Sequence, residues 1–62
     1  MGYAQLTIRR NRDGQVEITF AEAGVPQHYI YSAHQLRDPL TAANVKAFIR
    51  QLIEQVLDPA YV

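Results

Sequence analysis

No cysteine occurs in these 62 residues, so disulfides and thiolate metal sites are excluded together. The two histidines, His28 and His34, match no ligand spacing on one helix or strand. No metal and no other cofactor is expected. Glycine appears only three times and never as a phosphate-cradling loop. Ser32 lacks the flanking glycines of a nucleophile elbow, and nothing places the carboxylates in a cleft. Catalysis is therefore the least expected class of function, and no small-molecule substrate is evident. Net charge is missing too. Six basic and six acidic side chains cancel, so bulk charge gives no pull toward nucleic acid or anionic lipid. No apolar run approaches the ~20 residues of a membrane span. The start, Met1-Gly2-Tyr3, has neither the basic nor the apolar region of a signal peptide. Leu6 stands where a myristoylation signal needs Ser or Thr. A soluble, cytoplasmic protein is expected.

What is present is one small domain. A chain this short buries only about 60% of the surface its unfolded form exposes, close to the lower limit for folding alone. Such domains lean on a disulfide, a metal or another chain. With the first two set aside, association is the support left open.

From Tyr3 to Arg10 the sequence alternates, Ala4, Leu6 and Ile8 against Gln5, Thr7 and Arg9. The same period of two recurs over 15–21, with Val16, Ile18 and Phe20 on the apolar side. These are two half-buried strands, about 3–10 and 15–21, joined by a turn at Asn11-Arg12-Asp13-Gly14. The register follows from the apolar faces. A two-residue Asp-Gly loop would turn them away from each other. A three-residue loop pairs Ile8 with Ile18 and Leu6 with Phe20, with Asn11 opening a type I turn and Gly14 in the left-handed position. Arg9 then faces Glu17, and Thr7 faces Thr19.

A second connection is expected over 22–27, broken by Gly24 and Pro26, and then a third strand, about 28–32. Its faces are ambiguous: either Ile30 joins the core beside His28, or Tyr29 and Tyr31 do. Ser32 is placed to cap a single helical turn through Leu36. Residues 41–57 carry the strongest pattern, with Ala42, Val45, Phe48, Ile49, Leu52, Ile53, Val56 and Leu57 at three- and four-residue steps. This is one amphipathic helix. Two starts compete, Asp38 with Pro39 at the first helical position, or Thr41 with Leu40 and Val45 as a hydrophobic staple. The staple favours Thr41. Pro59 ends the helix, and Ala60-Tyr61-Val62 is a short tail. The expected fold is α+β: a three-stranded antiparallel meander with one C-terminal helix across a face, β-β-β-α.

The helix has more apolar surface than one sheet face needs. Val45, Ile49, Leu52 and Val56 lie at the centre of the stripe and should pack on Leu6, Ile8, Ile18 and Phe20. Ile53 and Leu57 fall on one shoulder, to be covered by Leu36, Leu40 or Tyr61, or by another chain. The far face of the sheet is open as well, and if Tyr29 and Tyr31 lie there it is a Tyr-Thr-Arg platform suited to contact.

Arg9, Arg10 and Arg12 cluster at the first hairpin, where Asp13 and Glu17 offset much of their field. Asp13-Gly14 and the stretch from Gly24 through Val25, Pro26, Gln27, His28, Tyr29, Ile30 and Tyr31 to Ser32 resemble the turn and third strand of a known family. That family is the amino-terminal, arm-type DNA-binding domains of transposon and phage integrases. The resemblance implies a three-stranded sheet followed by one helix, with Arg9, Arg10, Arg12, Tyr29 and Tyr31 as contacts to DNA. The chain departs from the family in having no basic excess and no catalytic domain.

Two functions are thus in view. The first is a non-catalytic protein-binding module, a homodimer or the accessory subunit of a larger partner, using Ile53, Leu57, Tyr29 and Tyr31. The second is a DNA-binding domain that uses its sheet and the three arginines.

Overall fold

A computed structural model describes residues 4–58. The expectations that rest on Tyr3, Pro59 and Tyr61 lie outside the described residues. Three strands, β1 (Ala4–Arg10), β2 (Val16–Glu22) and β3 (Val25–Tyr31), form one antiparallel sheet in the order β1-β2-β3. A single turn of helix, α1 (Ala33–Arg37), and the long helix α2 (Pro39–Leu57) complete the chain. The fold is α+β, with the meander preceding the C-terminal helix.

The first hairpin has the three-residue loop. Ile8 pairs with Ile18, Leu6 with Phe20, Thr7 with Thr19 and Arg9 with Glu17. The Asn11 side chain sets the geometry, because its Oδ1 accepts from the backbone N–H of Asp13 and of Gln15, each at 3.0 Å. Gly14 then closes the turn at φ +79° and donates to the Asn11 carbonyl. A Cβ at Gly14 would lie 3.2 Å from that of Ala33, so the loop is both left-handed and tight.

The second hairpin is shorter than its sequence suggests. β3 begins at Val25, paired with Glu22, so only Ala23 and Gly24 form the turn. Both have positive φ, 53° and 82°, the arrangement whose twist matches the flanking strands. Pro26 therefore lies inside a strand, opposite Ala21, and does not break it. A sheet edge tolerates it. In a two-residue hairpin the closing pair exchanges its hydrogen bonds, so the nitrogen of the next residue points away from the partner strand.

Ser32 caps α1 in a full capping box: its Oγ accepts from Gln35 N–H at 3.0 Å, while Gln35 Oε1 accepts from Ser32 N–H at 2.8 Å. The start of α2 corrects the expectation at Thr41. Asp38 is the N-cap and Pro39 occupies the first turn. One Asp38 carboxylate oxygen accepts from both the backbone N–H (3.3 Å) and the hydroxyl (2.8 Å) of Thr41. An anion at the positive end of the helix, beside a proline whose φ is already helical, outweighs the staple. Leu40 accordingly points to solvent, 76% exposed.

The core is small. Ile18, Phe20, Val45 and Leu52 are the buried side chains among the described residues, and Leu6, Val16, Tyr29, Tyr31, Leu36, Phe48, Ile49 and Val56 pack around them. Ile18 sits on the central strand beneath the helix and is fully buried. Val45 and Leu52, one heptad apart, mark the centre of the helical stripe, as its periodicity predicts. Ile8 does not join them; it remains 43% exposed.

Candidate functional site

Three surfaces come out of this arrangement, and each starts from which way a strand or helix turns its side chains.

The first is the helix shoulder. The Phe48 ring meets Tyr29 of β3 edge-on, with centroids 4.9 Å apart. Ile53 lies about 140° around α2 from Phe48 at 100° per residue, so it turns toward the opposite side of the sheet, over β1. Among the strands, β1 is the one α2 lies closest to. Ile53 is 42% and Leu57 73% exposed, and Ile8, on the helix-side face of β1, is 43% exposed. Of the side chains that could cover this shoulder, Leu36 packs against the core, Leu40 faces solvent, and Tyr61 lies outside the described residues.

The second surface is the outer face of the sheet. Strand parity puts Gln5, Thr7 and Arg9 of β1 there with Glu17, Thr19 and Ala21 of β2 and Pro26, His28 and Ile30 of β3. Tyr29 and Tyr31 are on the helix side instead, half-buried against the core. The Tyr-Thr-Arg platform therefore does not form. The apolar surface that replaces it is Ile30, about half exposed beside Glu17.

Glu17 organises this face. Its carboxylate accepts from Arg9 at 3.3 Å and from Asn11 Nδ2 at 3.0 Å, and lies 3.7 Å from His28 Nε2. The hydrogen bond from Asn11, followed by the charge and hydrogen bond of Arg9, holds the Glu17 carboxyl below its ordinary range. Its partners favour the ionised form more than the neighbouring protein's partial exclusion of water opposes it.

The third is the arginine cluster, and it comes apart in three dimensions. Arg9 points to the outer face, where it pairs with Glu17. Arg10, one residue on, belongs to the helix-side face by strand alternation. Arg12 stands in the hairpin loop. Three cations close in sequence are thus divided between the two faces of β1 and the loop.

No enclosed site formed by the described residues accompanies these surfaces. The best-formed depression among the described residues is lined by Gln51, Glu54, Gln55 and Asp58, all from the solvent side of α2 near its end. One helix cannot surround a ligand. Among the described residues no group of three or more His, Asp or Glu is placed to hold a metal ion, and no helix is long and apolar enough to cross a membrane.

Sequence patterning alone missed Ile8 and Ile30. Ile8 has the alternation of a core residue, and only the placement of α2 exposes it. Ile30 carried a signal in the two-way choice of β3 faces, decided when the tyrosines turned inward. No family model, curated protein or solved structure matches the chain significantly.

Proposed function

We propose that this protein works by binding another polypeptide, as a small non-catalytic module in the cytoplasm that self-associates or serves as an accessory subunit. The observation that carries this reading is the apolar shoulder: Ile53 and Leu57 share one side of α2 and stand 42% and 73% exposed. Left in water, each forgoes much of the ~1.5–3 kcal/mol that full burial gives a large aliphatic side chain. With four buried side chains among the described residues, that loss is large for a domain of this size. Tyr29 and Tyr31 lie on the helix side of the sheet with part of their surface packed against the core.

The experiment is solution mass by light scattering across a hundredfold range of concentration, on the protein and on Ile53→Glu and Leu57→Glu variants. Loss of the associated species with the helical signal retained is expected. Unchanged mass together with unchanged stability would remove both residues from any contact surface. The nucleic-acid reading has no comparable support, since Arg9 is engaged by Glu17 and the other two arginines diverge from it. A duplex-DNA titration at low salt is its test. Phosphate-driven binding would weaken steeply as salt rises, and a flat curve would end the idea.

A further inference from the structure

We infer that a second copy of this chain docks along the free edge of β1, continuing the antiparallel sheet across a two-fold axis at Thr7. This deepens the protein-binding reading and rests on it. Among the described residues no strand lies beyond β1 or β3, and these two edges differ. On β3, Pro26 presents no N–H to an incoming strand, a common way to blunt an edge. β1 has no such guard. Its seven residues contain no proline, and their pairing with β2 runs without a bulge from Ala4 to Arg10.

Backbone parity says which groups face outward. The hairpin closes with Asn11 N–H donating to the Gln15 carbonyl. Counting back along an antiparallel ladder, Arg9, Thr7 and Gln5 bond to β2, and Arg10, Ile8, Leu6 and Ala4 turn their N–H and C=O groups to the open side. A two-fold axis at Thr7 sets Leu6 opposite Ile8 of the second copy, and Ala4 opposite Arg10. Every outward-facing residue then meets another outward-facing residue, so each backbone group on the edge finds its partner.

The side chains agree with this register. On the outer face Arg9 lies across from Gln5 of the copy and Thr7 across from Thr7, so no like charges meet. On the helix face Leu6 lies across from Ile8, which is the half-exposed residue of that strand. The two α2 helices then flank the axis, each turning Ile53 and Leu57 toward it. A self-complementary edge of this kind selects a second copy over an unrelated strand, because one surface supplies both halves.

Amide hydrogen exchange followed by NMR tests this on the unmodified protein, at high concentration and after hundredfold dilution, with mass measured in parallel. In a monomer the amides of Leu6 and Ile8 face water while those of Thr7 and Arg9 are held by β2. In the dimer all four exchange slowly, and Leu6 and Ile8 should be slowed at least about a hundredfold relative to the diluted sample. An Ile8→Lys variant, with a charge placed at the edge, should be a folded monomer in which Leu6 and the substituted position lose protection while Thr7 and Arg9 keep theirs. A dimer whose Leu6 and Ile8 amides exchange freely would overturn the β1 docking and leave the protein-binding reading standing through another surface. A monomer at every concentration would overturn both this docking and self-association, and would leave the accessory role to its own test.

Discussion

The ring of Tyr29 meets that of Phe48 nearly at right angles, with 79° between the planes and 4.9 Å between the centroids. Tyr29 and Tyr31 pack on the core from the helix side of β3. Phe48 thus turns toward β3, and Ile53, about 140° further round α2, stays 42% exposed on the other side.

Replacing Phe48 with Ala should cost about 3 kcal/mol, from lost burial and the void left against Tyr29. Tyr29→Phe should cost no more than about 0.5 kcal/mol, because the hydroxyl bonds only the exposed Gln27 side chain at 2.7 Å. Urea denaturation of the two variants checks the contrast. Equal losses would mean that the hydroxyl, and not the ring pair, holds β3 in place.

Ala23 sits at φ +53°, where a Cβ costs about 1 kcal/mol and Asn is far better tolerated. Ala23→Asn should therefore raise stability by roughly 0.5–1 kcal/mol, a few degrees in Tm for a domain of this size. Thermal unfolding by circular dichroism measures it. A lowered Tm would contradict the left-handed turn.

Asp38→Ala should destabilise by about 1 kcal/mol, the usual cost of losing an N-cap. Thr41→Ala should cost less, since the Thr41 backbone N–H still reaches the Asp38 carboxylate. If Thr41 were the true cap, as its staple suggests from sequence, the order of the two losses would reverse.

Glu17 gives the fold a pH dependence of defined sign. Its folded-state pKa lies below its unfolded value, chiefly through the hydrogen bond from Asn11 and then through Arg9. A depressed carboxyl contributes stability above its unfolded pKa and loses it as pH falls through the folded one. Stability should thus decline on the acid side of the ordinary glutamate range. Glu17→Gln should flatten that decline while altering neutral-pH stability only modestly. Denaturation midpoints collected from neutral pH downward provide the measurement, and an unchanged acid slope in Glu17→Gln would rule out this carboxylate as its source.

Much of the fold was legible from local chemistry. Asn11 and Gly14, together with the parity of Leu6, Ile8, Ile18 and Phe20, determine the register of the first hairpin before any packing is considered. Ser32 pointed to the short helix as its cap, while the reciprocal bond from Gln35 came only with the structure. The second hairpin was harder, because Pro26 reads as a breaker unless its strand is known to be an edge, and only the sheet order makes it one.

The sequence by itself determined the elements, their order and the excess of apolar side chains on α2. These depend on backbone preferences and side-chain periods that act within a few residues. Tertiary structure alone decided that Tyr29 and Tyr31 turn inward, that Ile8 stays half exposed, and that Arg9, Arg10 and Arg12 part company. Each of those outcomes depends on where a nineteen-residue helix comes to rest on three strands. That position is fixed by many weak contacts between residues far apart in the chain, and no single stretch of sequence contains it.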